Sequence, residues 1–131
     1  SLNKPLYLYS LPLIWFASFY PNTLKAIESK RYLKIENTIG YNNLQPRSNI
    51  PNIKEKENIP PELAARLQRI EGAHANGMES LPFFGLAVLA GNWAGVDNQT
   101  LNIACGLHLI CRIAYNYIYF NQTSRRSAGL R

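Results

Sequence analysis

Long stretches of this chain contain almost no charge. From Pro5 to Leu24 there is no Asp, Glu, Lys or Arg, and between Ser80 and Ser124 there are only Asp97 and Arg112. A soluble domain spreads charge over every surface element, yet here 15 of the 22 charged residues fall between Lys25 and Glu71. The mean hydropathy of -0.19 hides this segregation. Cysteine is scarce too: two in 131 residues exclude a disulfide scaffold. Cys105 and Cys111 are six apart on an expected helix, roughly 9 Å of rise, too far for a bridge. No His/Cys cluster suggests zinc, so no metal is expected and both thiols read as small buried hydrophobes.

A one-sided basic patch is also missing. The net charge of +6 invites a nucleic-acid reading. However, residues 25–71 carry six acidic residues beside nine Lys/Arg, and nearly all aromatics lie in the uncharged segments. Nucleic-acid binders cluster their cations and interleave them with stacking aromatics, so no nucleic-acid partner is expected. At 47% hydrophobic the chain is too apolar for a disordered tail, and its length suits one domain, residues 1–131.

What is present reads as a membrane protein with a polar connector. Residues 5–24, bounded by Lys4 and Lys25, would rise about 30 Å as a helix, the thickness of a hydrocarbon core. Tyr7, Tyr9, Trp15 and Tyr20 suit the interfaces, and Pro12 is expected to kink the helix. A cleaved signal peptide is the rival, but no A-x-A-like site closes the run. Residues 25–61 form the connector, mostly loop with a short helical extension through Arg31. A second helix opens at Pro60-Pro61-Glu62, with proline in its first turn and an acid at its positive end. It bends at Pro82 and stops at Gly91-Asn92 or Gly95, with the membrane span itself at 76–95. A third span covers 100–120.

Three spans put the connector and the tail after Phe120 on one side and residues 95–100 on the other. The connector and the tail, with Arg125, Arg126 and Arg131, hold the cations, whereas the short turn has none. This matches the positive-inside rule with a cytoplasmic connector. Asn98-Gln99-Thr100 is a glycosylation sequon pressed against the membrane on the far side. An odd number of spans ending in a basic tail predicts a fourth helix beyond this sequence.

The polar residues inside these helices fall on stripes. Arg69, Asn76, Glu79 and Phe83 share one face of the second helix. Cys105, His108, Arg112, Tyr115 and Tyr119 recur every three or four residues on the third. A charge at mid-bilayer is costly, so Arg112 and Glu79 are expected to face each other or a shared polar ligand, or to form a purely structural ion pair. His74 and His108 read as packing residues, His108 hydrogen-bonded, and Trp15 and Trp93 as interface anchors.

The run Arg69-Ile70-Glu71-Gly72-Ala73-His74-Ala75-Asn76-Gly77-Met78-Glu79-Ser80-Leu81-Pro82-Phe83 resembles the second-helix signature of the MAPEG family, the membrane-associated proteins of eicosanoid and glutathione metabolism. Arg69, Ala73, His74, Asn76, Glu79, Pro82 and Phe83 carry the match. Arg112, Tyr115, Tyr119 and Arg126 look like the family's second block. The resemblance implies an all-α integral membrane bundle, three spans of a four-helix protomer, assembled as a homotrimer in the endoplasmic reticulum or another intracellular membrane. It implies glutathione bound between protomers near the cytoplasmic side. The chemistry implied is transferase or peroxidase action on a lipophilic small molecule entering from the bilayer, or isomerisation of an eicosanoid. On this resemblance Arg126, helped by Ser127, stabilises the glutathione thiolate, while Asn76, Glu79, Arg112, Tyr115, Tyr119 and Arg69 hold the rest of glutathione. Gly72 stands where many members carry a second arginine and Ala75 where some carry a basic residue. These two departures favour the rival reading, a non-catalytic membrane scaffold of the same fold.

Overall fold

The computed structural model describes residues 2–35, 44–45 and 60–122, and these are helical almost throughout. A single 3-10 turn, Leu6–Tyr9, leads into α1, Ser10–Ile35. Helix α2 is Pro61–Trp93 and α3 is Asn98–Phe120. No strand occurs among the described residues.

Local chemistry explains the helix ends. Pro61 at the start of α2 gives up an N–H that has no intrahelical partner, and Glu62 sits at the positive end of the helix dipole. After Trp93 the chain reverses through Gly95, whose φ of 75° favours a residue without Cβ. Helix α3 begins two residues earlier than the sequence suggests, because Asp97 caps it. The Asp97 carboxylate accepts from Thr100 N at 2.8 Å, and the Thr100 hydroxyl donates to it at 2.8 Å.

Helix α1 corrects two expectations. It does not span 5–24 but starts at Ser10, so Pro12 falls in the first turn, where its missing N–H costs nothing; Pro21 is the interior proline. It also runs through Ile35, four residues beyond the helical extension expected through Arg31. Two ion pairs to α2 hold this polar half of α1. Lys25 Nζ lies 3.5 Å from Glu71, and Arg66 bonds Glu28 through Nε and Nη2 at 3.0–3.1 Å. The remainder of the connector and the expected tail lie outside the described residues.

The helices run up, down and up. Ser18 meets His74 and Glu28 meets Arg66, so α1 and α2 are antiparallel; Tyr7 meets Asn102 and Ala17 meets Asn116, so α3 runs parallel to α1. Close approach of α1 and α2 depends on Gly77, where an added Cβ would lie 2.8 Å from Ser18 Cβ. One apolar cluster, Tyr7, Val88, Leu101 and Cys105, closes the end near the α2–α3 turn, and another, Ile70, Ala73 and Phe120, closes the other end. Cys105 is buried as expected, but Cys111 points outward and is exposed.

No helix among the described residues is long and apolar enough to cross a membrane. The physical reason is dilution by polar residues such as Ser10, Ser18, Asn22, His108, Arg112 and Asn116. Several of these face inward: Ser10, Ser18, Ser29, Lys25 and Asn116 are all buried. Meanwhile Phe16, Phe83, Leu86, Leu89, Trp93, Leu107, Ile110 and Tyr117 are exposed. The apolar surface therefore faces out.

Candidate functional site

The polar stripes of α2 and α3 meet across the helix pair. Asn76 Nδ2 donates to the Tyr115 hydroxyl at 3.2 Å. The Arg112 guanidinium lies over the Tyr115 ring, 4.7 Å from its centroid, and its Nη2 donates to the Ala73 carbonyl at 3.2 Å. Its Nε is buried without a hydrogen-bond partner. Tyr119 continues the stripe one turn on, its ring 5.5 Å from that of Tyr115. Asn76, Arg112, Tyr115 and Tyr119 thus form one cluster; spacing put them on two helix stripes, and the family resemblance put them around one site.

Two expected members stand apart. Arg69 is two turns from Asn76 and its Nε makes a long, 3.4 Å contact to the Phe120 carbonyl at the end of α3, where Arg66 Nη1 also reaches. Glu79 is exposed and no ion pair joins it to Arg112, which corrects the expected pairing. Backbone carbonyl and aromatic face serve as the arginine's partners instead. Glu79 edges a different hollow of about 1180 Å³ on the α1–α2 side, together with Phe19, Asn22, Lys25, Glu71, His74 and Met78. Arg126 and Ser127 lie outside the described residues.

Gly72 has a visible neighbour. A Cβ there would stand 2.7 Å from the Tyr119 hydroxyl, so this phenol fills the space into which a longer side chain would project. His74 Nδ1 bonds the Ser18 carbonyl at 3.0 Å and its ring meets Phe19 edge-on, a packing role. His108 stacks on Phe84 at 4.4 Å, but its Nε2 is buried without a partner, so the expected hydrogen bond is not made by that atom. Sequence reasoning passed over Asn116 and Lys25. The signal for Asn116 was an amide in an apolar run four residues past Arg112; the burial of Lys25 had none, because it depends on Glu71 from another helix.

The donor set suits an anionic and amide-bearing ligand. Arginine and tyrosine supply N–H and O–H donors and Asn76 supplies a carboxamide, whereas Glu79 edges the separate hollow on the α1–α2 side.

No curated protein and no solved structure matches the chain significantly. A sequence model of the MAPEG family matches residues 32–130, three-quarters of the chain, including both polar stripes. With a match of that extent over the helices that form the cluster, the chain belongs to the MAPEG family.

Proposed function

We propose that this protein is a glutathione-dependent transferase or peroxidase acting on lipophilic electrophiles or hydroperoxides, embedded in a membrane as a homotrimer. The observation that carries the reading is the cluster of Asn76, Arg112, Tyr115 and Tyr119 within the segment that matches the family. Family membership implies membrane association and glutathione or eicosanoid metabolism. The outward apolar side chains and inward serines and asparagine support a lipid setting, in which polar groups are tolerated where helices cover them. Covering the remaining polar face is the work of neighbouring protomers. The connector's cations orient it toward the cytoplasm of an intracellular membrane such as the endoplasmic reticulum.

Bound glutathione would supply a thiolate, which forms a thioether by adding to an electrophile or displacing a leaving group that departs with the bonding electrons, or reduces a hydroperoxide to the alcohol and water as two glutathiones become the disulfide. A thiol of pKa about 8.5 is mostly protonated at neutral pH. Arg126, a cation that stays charged when desolvated, favours the ionised sulfur, and the Ser127 hydroxyl donates to it. Arg112 and Tyr119 hold carboxylate or backbone groups, with Tyr115 as a further donor. Asn76 and Glu79 take the amide and amine, and Arg69 adds positive charge nearby. Arg126→Ala is expected to abolish glutathione-thiolate absorbance while leaving trimer assembly intact. An unchanged absorbance removes Arg126 from the mechanism.

A non-catalytic scaffold is the second reading, and one observation favours it. Asn76 and Arg112 already have partners within the protein, and Tyr119 closes the space at Gly72. Retention of the detergent-solubilised protein on immobilised glutathione is the expected result for an enzyme. A scaffold flows through.

A further inference from the structure

Gly72 and Tyr119 meet at the seam between α2 and α3. A Cβ built on Gly72 would stand 2.7 Å from the Tyr119 hydroxyl oxygen, 3.2 Å from Cζ and 3.3 Å from Cε1. The neighbouring rung of the seam is Asn76 with Tyr115, four residues on along α2 and four back along α3. The two contacts therefore lie one helical turn apart on the same face. The Tyr119 ring packs on the Ile70, Ala73 and Phe120 cluster and stands 5.5 Å from the ring of Tyr115. With the ring held, what stands at position 72 decides how closely the hydroxyl approaches α2. Glycine is less favourable than alanine in a helix interior, and here it removes the one atom that the hydroxyl would strike. Both residues are half-buried, so the contact lies at the open edge of the seam rather than in its core.

We propose that Gly72 is a positioning residue for ligand binding. By carrying no side chain it seats the Tyr119 hydroxyl against α2, in line with the Asn76–Tyr115 pair, where it donates to a carboxylate or carbonyl oxygen of the ligand. This inference rests on the reading of the cluster as a glutathione site. A phenol hydroxyl has one donor and two acceptor lone pairs, so it touches α2 and a ligand at once. Being neutral, it selects by the direction of a hydrogen bond and adds no charge to the site.

The test is calorimetric titration of glutathione into the full chain in detergent, for the unaltered protein, Gly72→Ala, Tyr119→Phe and the double variant, with a melting temperature for each. Gly72→Ala is expected to weaken binding about three- to tenfold, the worth of one hydrogen bond. Its melting temperature is expected to stay unchanged or rise, because the displaced atom is the tip of a side chain and alanine favours the helix. Tyr119→Phe is expected to weaken binding by a similar factor. Adding Gly72→Ala to it should cost nothing more, since the oxygen through which Gly72 acts is gone. Unchanged affinity in either single variant overturns the proposal, as do losses that multiply in the double variant. A Gly72→Ala chain that fails to fold makes the phenol a structural plug and overturns it as well. If the unaltered chain does not bind glutathione, the functional reading falls first and this inference with it, before any variant is measured.

Discussion

Asn76 of α2 donates a hydrogen bond of 3.2 Å to the hydroxyl of Tyr115 on α3, and the same tyrosine's ring lies beneath the Arg112 guanidinium. One residue therefore serves as acceptor with its edge and as a cation platform with its face. Tyr115→Phe separates the two roles, since it keeps the ring and removes the oxygen. We expect it to destabilise the protein by about 0.6 kcal/mol, the average for interhelical hydrogen bonds in membranes, and to weaken glutathione binding. Thermal unfolding in detergent and calorimetry check the two effects. Full loss of the Arg112 contact would require Tyr115→Ala.

Gly77→Ala is expected to cost about 1–3 kcal/mol, the range for overpacking a tight interface. The new methyl would stand 2.8 Å from Ser18 Cβ and 2.9 Å from its Cα, and backbone cannot yield as a side-chain tip can. Gly85→Ala is the control, since nothing lies within 4 Å of the added Cβ. It should leave stability unchanged or raise it by up to about 1 kcal/mol through helix propensity. Of the two variants, only Gly77→Ala should lower the melting temperature.

The Lys25–Glu71 pair is lopsided, with side-chain exposures of 9% and 44%. Removing the exposed partner strands a buried ammonium, whereas removing the buried one leaves a carboxylate that water solvates. Glu71→Gln is therefore expected to destabilise by about 1–3 kcal/mol, and Lys25→Met by less. Denaturant titration of the two variants tests the asymmetry. Equal losses would place Lys25 nearer to water than its burial implies.

Asp97 holds the start of α3, and its hydrogen bonds from the Thr100 backbone N–H and then the Thr100 hydroxyl keep its carboxyl below the ordinary value of 3.8. A carboxyl whose pKa is lower folded than unfolded binds fewer protons in the folded state, so its stabilisation is complete above the ordinary value. It is lost as pH falls through the lowered folded value. Asp97→Asn should accordingly lower the melting temperature at neutral pH, and the gap from the unaltered protein should close in strong acid. A gap independent of pH would show that the charge of the Asp97 carboxylate contributes nothing to the cap.

Much of the backbone was legible in the sequence. Pro60-Pro61-Glu62 announced α2 to the residue, since proline and an acid at a helix start act locally. Other features depend on distant partners. The polar second half of α1 reads as connector until Glu71 and Arg66 are seen to neutralise Lys25 and Glu28. Spacing likewise places Arg112 and Glu79 on stripes but does not say how a long side chain turns. Arg112 bends to a carbonyl and an aromatic face, leaving Glu79 exposed.

The end of α3 shows how one helix can set the length of another. Neither glycine nor proline stands near Phe120, yet its carbonyl accepts from both Arg66 and Arg69. Two cations at the negative pole of α3 substitute for the missing stop signal. Winding α3 further would hand that oxygen to the next turn and cost both guanidiniums this contact, with Arg66 still held by Glu28. Replacing Arg66 and Arg69 together should thus let α3 grow, with the sequence of α3 itself untouched.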